Sequence, residues 1–191
     1  VLTQIFKRFF DIFFAALFLC LLFMPMLFIA IAIKLDSKGG ALYWSERVGK
    51  GSCIFKMPKF RTMIEETPQV ATHLMDDPLS YYTVLGKFLR KTSLDETPQL
   101  ISIIKGDMSF VGPRPALSNQ KDLIHLREID YIDSLIPGLT GWAQVNGRDE
   151  LTIQKKVALD KEYLLKQSIL FDFYIICLTT WKVFKKENIS H

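Results

Sequence analysis

Residues 90–115 of this 191-residue chain read RKTSLDETPQLISIIKGDMSFVGPRP. Two cations, Arg90 and Lys91, are followed by an adjacent acid pair, Asp95 and Glu96, and then by Arg114 held between two prolines. Such a set suits phosphoryl transfer. Carboxylates hold Mg2+ alongside substrate phosphates. Arginines present a planar fork to phosphate oxygens and offset the charge that spreads over a transferring phosphoryl group. An aspartate can also be the nucleophile, splitting one hard displacement into two through an acyl-phosphate. A second constrained stretch, PGLTGWAQVNGR over 137–148, mixes Gly, Asn and Gln with a tryptophan and ends in Arg148. Two rigid polar loops separated by helices usually position groups for a ligand.

The start of a helix explains the acid pair as well. Ser93 followed by Glu96 has the form of a capping box, and acids in a first turn face the positive end of the helix dipole. Thr97 before Pro98 offers a rival cap. Three other adjacent acid pairs, Glu65-Glu66, Asp76-Asp77 and Asp149-Glu150, lack the same flanks. Asp149-Glu150 follows Arg148 but opens a long polar helix, where capping is the simpler reading. The company of Asp95 and Glu96, not the pair itself, carries the case for chemistry.

The elements around these groups point to a membrane. Hydrophobic residues make up 49% of the chain, and no charge interrupts 12–33. That run is long enough for a bilayer core, which takes about 20 apolar residues. A cleaved signal peptide, a spanning helix and a re-entrant helix are the competing readings. Pro25 removes one helical N–H and should bend the run. Lys7 and Arg8 before it mirror Lys34 and Lys38 after it, so charge sets no orientation and both ends suit the same face. These two features favour re-entry. The last apolar segment, 169–184, is broken by Asp172 and Lys182 and is rich in aromatics. It suits a helix lying in the interface, or a buried core helix.

Between them the pattern is that of a globular domain. Two β-prone runs flank Gly49-Lys50-Gly51, which predicts a hairpin. Lys56, Lys59 and Arg61 make its second strand basic, as a solvated edge would also be. Residues 64–82 read as an irregular loop with room for a short helix. Helical patterns cover 84–90, 94–104, 119–135 and 151–167. The net charge of +4 suits anionic headgroups or phosphate-bearing substrates, and no nucleic-acid motif is present. Cys20, Cys53 and Cys177 have no metal-ligand spacing, and the three histidines are scattered. A reduced, zinc-free protein is the expectation.

Through FKMPKFRTM, the acid-pair helix and both rigid loops, in this order, the chain resembles the bacterial sugar transferase family, the small monotopic phosphoglycosyl transferases. The resemblance implies a mainly α fold with a small β-hairpin. It implies an N-terminal re-entrant membrane helix over 1–36, a cytosolic catalytic unit over 37–191, and amphipathic helices in the interface. The implied reaction moves a sugar-1-phosphate from a UDP-sugar to undecaprenyl phosphate. It yields undecaprenyl-diphosphate-sugar and UMP, needs Mg2+, and is the first membrane step of surface glycan assembly. It would take place on the cytosolic face of the bacterial inner membrane.

By the same resemblance, Asp95 is the nucleophile that carries a covalent phospho-sugar. Glu96 assists with acid–base work, and Asp95 and Glu96 together serve the metal. Arg90 and Arg114 match basic positions near the phosphates, and Lys59, Gln144, Arg148 and Asp172 lie in matching motifs as substrate-binding candidates. The implied partners are a UDP-sugar, undecaprenyl phosphate and inner-membrane lipids, with a homo-oligomer left open. One departure is Met24 before Pro25, where family members often carry serine. A methionine cannot satisfy the carbonyl that the proline frees, which bears on the bend rather than the chemistry. Two rivals remain: a non-catalytic membrane adaptor that binds nucleotide sugars or lipid phosphates, and a spanning enzyme of similar chemistry.

Overall fold

The charge-free N-terminal run forms one long helix, α1 (Leu2–Asp36), which continues through Pro25. This computed structural model describes residues 2–65, 67, 78–147 and 150–185. Most of the irregular loop expected at 64–82 therefore lies outside the described residues. One stripe of α1, containing Ala15, Leu19, Leu22, Met26, Ile29 and Ile33, meets the rest of the protein. The helical spacing of three and four residues puts these side chains on one face. The opposite face is bare: Phe9 is 66% exposed, Leu21 64% and Phe28 69%. Apolar area of that extent costs about 25 cal/mol per Å2 in water and nothing comparable in lipid. By length and composition α1 could cross a membrane.

Both ends of α1 are fastened to one folded body. Near its start the Arg8 guanidinium donates to the carbonyls of Ile103 and Ile104 at 2.6 and 2.8 Å. Those carbonyls belong to the last turn of α3 (Leu100–Lys105), where the helix supplies little else: the Ile103 carbonyl also accepts from the Gly106 cap N–H at 3.2 Å. At its end the Asp36 carboxylate accepts from the Leu85 N–H at 3.4 Å, in the first turn of α2 (Val84–Thr92).

The expected hairpin is present. Strands β1 (Leu42–Val48) and β2 (Ile54–Phe60) run antiparallel with Leu42 opposite Phe60 and Val48 opposite Ile54. The β structure goes beyond a hairpin, however. A short strand, β4 (Ala116–Leu117), closes the other edge of β1. The two rigid loops also join: β3 (Ser109–Val111) pairs in parallel with β5 (Gly138–Thr140). Their backbones lie so close that a Cβ on Gly112 would stand 2.3 Å from the Ile136 carbonyl oxygen, and one on Gly138 2.1 Å from the Gly112 nitrogen. Only glycine permits that approach.

Two helices differ from the expectation. The stretch 94–104 is not one helix begun by a Ser93 cap. Ser93 sits in the left-handed region at φ 55°, closes α2 and makes no side-chain cap. A 3-10 helix follows over Leu94–Gln99, and α3 begins only after it. Pro98 lacks an N–H and would clash with the carbonyl four residues back, so the tighter turn replaces the α-helix there. The stretch 119–135 splits into α4 (Lys121–Ile129) and a 3-10 turn at Ile132–Ser134, because Tyr131 takes φ 58°. After a four-residue helix, α5 (Trp142–Val145), come α6 (Ile153–Lys166), whose cap Thr152 accepts from Lys155 N–H, and α7 (Ile169–Lys185).

Three apolar clusters hold these parts together. Val111, Ile132, Val157, Tyr163 and Ile175 join β3, α6 and α7. Met57, Leu100, Ile103 and Met108 receive Ala15 of α1. Phe60 and Leu89 receive Ile33. Each fully buried large side chain contributes about 1.5–3 kcal/mol, so α1 is docked along its length and not only at its ends. The outer face of α7 is bare as well, with Leu170 83% and Phe173 66% exposed.

Candidate active site

The 3-10 helix at Leu94–Gln99 lies against β2, and this contact brings the acid pair to the basic strand. Lys59 of β2 points at it: Nζ donates to Glu96 Oε1 at 2.7 Å. Arg114, carried in by the loop after β3, reaches the same oxygen at 3.6 Å. Asp95 beside it is only 6% exposed. Burial pushes its carboxyl up from 3.8 to about 6, with the Glu96 charge adding to the rise and Lys59 and Arg90 opposing it. Burial also lowers the Lys59 ammonium, against the pull of Glu96.

Each cation is held by its own support. Arg90, in the last turn of α2, hydrogen-bonds the Tyr82 hydroxyl and stacks 5.1 Å above the ring centroid. Behind Arg114, its own carbonyl accepts from Arg127 Nη1 at 2.8 Å. Arg127 in turn forms a fork to the buried Asp160, with Nε and Nη2 donating to Oδ2 at 3.0 and 2.6 Å. α4 and α6 thereby fix the loop that presents Arg114.

A fourth cation was not foreseen. Arg47 lies on β1, half-buried, with Nε donating to Ser45 Oγ at 3.0 Å and Nη1 to the Pro115 carbonyl at 3.3 Å. Burial and the neighbouring Arg114 lower it to about 10, while Glu96 and Tyr43 act the other way. Tyr43, Ser45 and Arg47 alternate along β1, so period 2 puts them on one face. That alternation was the available signal.

Arg47, Lys59, Arg90 and Arg114 therefore surround two carboxylates. The surplus of positive charge is what a phosphate-bearing ligand would meet. Gln144 reaches the same region, lining a cavity together with Glu96. Its Nε2 donates to the Leu139 carbonyl at 3.1 Å, and its Oε1 is buried without a partner. Asp172 keeps different company. Its Oδ2 accepts from Lys7 Nζ and its Oδ1 from the Tyr163 hydroxyl at 2.7 Å, tying α7 to α1 and α6. Arg148 lies outside the described residues.

Among the described residues no cluster of three or more His, Cys, Asp or Glu side chains could by itself cage a metal. The Asp95 and Glu96 carboxylates lie close enough for the Glu96 charge to act on Asp95, and they are hard oxygen donors of the kind Mg2+ takes. That ion takes hard oxygen ligands and is commonly held by one or two carboxylates together with substrate phosphates.

Comparison with known proteins agrees with this arrangement. The family model described as bacterial sugar transferase matches residues 2–186. The chain is 37% identical to the sugar transferase EpsL of Bacillus subtilis (strain 168), over 98% of this chain and 91% of that protein. It is 38% identical to the exopolysaccharide production protein ExoY of Rhizobium meliloti (strain 1021), over 91% of this chain and 83% of that protein. With the UDP-glucose:undecaprenyl-phosphate glucose-1-phosphate transferase of Escherichia coli (strain K12) it shares 39% identity, over 95% of this chain but 41% of that larger protein. A match that takes in α1, the acid-pair turn, both paired loops and α7 leaves no part of the described architecture outside it, and the chain belongs to the bacterial sugar transferase family.

Proposed function

We propose that this protein transfers a sugar-1-phosphate from a UDP-sugar to undecaprenyl phosphate, with Asp95 as a covalent nucleophile. One observation carries the reading: a buried carboxyl, held at about 6, lies beside Lys59 and Arg90, and its neighbour Glu96 meets Lys59, Arg114 and the charge of Arg47. Relatives named for undecaprenyl-phosphate phosphotransfer, such as the glucose phosphotransferase of Komagataeibacter xylinus, support the substrate class.

Above pH 6 the Asp95 carboxylate is ionised but poorly hydrated, which makes it a stronger nucleophile than an exposed aspartate. One of its oxygens attacks the phosphorus that bears the sugar. The bond from that phosphorus to the bridging oxygen breaks, and UMP leaves with the electron pair. An oxygen of undecaprenyl phosphate then attacks the same phosphorus. The bond to Asp95 breaks, the carboxylate is restored, and undecaprenyl-diphosphate-sugar departs. Lys59, Arg47 and Arg114 hold phosphate oxygens in line and offset their charge. Arg90 steadies the Asp95 side. Asp95 and Glu96 would hold Mg2+, which when bound supplies further positive charge to the diphosphate.

The membrane reading rests on α1. It enters lipid and returns to the side it left, and the catalytic body sits on the cytosolic face of the inner membrane. Both ends of α1 are fastened to one body, and its flanking charges are symmetric. The aromatic outer face of α7 would lie in the interface and keep the acid pair at headgroup depth, where the lipid phosphate is found.

The test is a panel of UDP-sugars with undecaprenyl phosphate and Mg2+ in detergent micelles, scored by UMP release. At least one sugar should give turnover that Asp95→Asn abolishes. Silence across the panel, or an active Asn variant, would refute the proposal.

A further inference from the structure

Glu96 faces two surroundings. On one side it meets Lys59 and Arg114. On the other it lines a cavity of about 400 Å3 that α1 and α7 enclose. Phe18 and Leu22 of α1 and Ile176 and Val183 of α7 form apolar walls. These are the two helices whose outer faces are bare, so the cavity lies between elements suited to lipid and reaches Glu96 of the acid pair. Among the described residues one cation, Lys182, lines it, and none of the ion pairs there includes it. An ammonium in a largely apolar wall favours an anion beside it.

We infer that this cavity seats the lipid acceptor. The isoprenoid tail lies against Phe18, Leu22, Ile176 and Val183, and its phosphate is drawn to Lys182 and presented at the acid pair. The inference rests on the transferase reading above and adds the place and the residues for the second substrate. The two substrates then approach residues 95–96 from different sides, the nucleotide sugar through the basic cluster and the lipid through the apolar cavity. Donor and acceptor need not displace one another from a single pocket.

The experiment uses the full chain in micelles with a UDP-sugar that the wild type turns over. Ile176→Trp and Val183→Trp fill the cavity, and Lys182→Met removes the cation while keeping the stem. Two quantities are read: the burst of UMP without acceptor, and kcat/KM for undecaprenyl phosphate. The burst should persist while kcat/KM for the acceptor falls by roughly tenfold or more. Lys182→Arg should restore most of the loss, which a merely damaged fold would not allow. Acceptor kinetics within about twofold of wild type in all three variants would overturn the inference, as would a burst that falls in step with the acceptor reaction. Inhibition of the wild type by equimolar phosphatidic acid, relieved by Lys182→Met, would assign the cavity to bulk phospholipid and overturn it too. A wild type without any UMP burst would instead fell the transferase reading, and the acceptor site with it.

Discussion

Replacing Asp95 by Asn should make the protein inactive and more stable. The native fold holds this carboxyl at about 6 against an ordinary 3.8, chiefly by burial. A raised value means that the folded state binds the proton more tightly than the unfolded chain. The side chain's contribution to stability is thus complete below about pH 4 and is lost as pH rises through 6. At pH 7.5 the ionised group costs the fold about 3 kcal/mol relative to an uncharged one, at 1.36 kcal/mol for each tenfold change in proton affinity. Asn has the same shape and no charge at any pH. The variant should therefore gain up to about 3 kcal/mol at pH 7.5, or roughly 6–12 °C in melting temperature for a chain of this size. The gain should shrink towards zero near pH 4. Thermal melts of both proteins in the same detergent, at pH 4 and pH 7.5, read the difference directly. A variant that melts no higher than wild type at pH 7.5, or by the same margin at both pH values, would refute the claim that Asp95 is held ionised at a cost to the fold.

Three further outcomes follow from the same geometry. The single-turnover rate of UMP release should fall as pH drops through about 6, because a protonated Asp95 has no free electron pair of carboxylate basicity; a fall near 4 would mean an exposed nucleophile. Asp160→Ala would leave Arg127 buried without its partner and free the carbonyl support of Arg114. It should destabilise the protein by about 3–5 kcal/mol in denaturant titration, and a loss within experimental error would show that the pair bears little weight. Single cysteines at Gln4 and Lys38, in a background lacking Cys20, Cys53 and Cys177, should react with an impermeant reagent from the same face of sealed vesicles; reaction from opposite faces would establish a spanning α1.

Much of the candidate site is legible in the sequence alone, for a specific reason. Asp95, Glu96, Arg90 and Arg114 fall in one contiguous stretch, and prolines and glycines announce that its backbone is constrained. By spacing alone Lys59 reads as one of two lysines on a strand, and only the family resemblance singles it out; its distinction is that the acid-pair turn lies over it. Arg47 was missed because a lone arginine on a strand looks like a solvated edge. It becomes part of the site when β4 covers that edge and the Arg114 loop arrives from far along the chain.

Ser93 misled by its spacing. The residues of a capping box were present, but Ser93 was already used as the left-handed end of α2. Asp172 sat in a suggestive motif, yet its partners are Lys7 and Tyr163, which no local pattern could pair with it. The parallel β3–β5 pair was invisible because three-residue strands are too short to show alternation. Only its glycines hinted that two backbones would meet. Local chemistry was legible where it was contiguous in sequence, and hidden where it depended on long-range contact.

In the proposed mechanism Asp95 carries the sugar phosphate between the two substrates. The most direct test mixes purified protein with Mg2+ and a productive UDP-sugar, without acceptor, quenches in acid and measures the intact mass and the peptide map. The prediction is an added mass of one sugar phosphate on the peptide containing residue 95, which disappears when undecaprenyl phosphate is added. Turnover with no such adduct at any quench time, or an adduct on another residue, would contradict it.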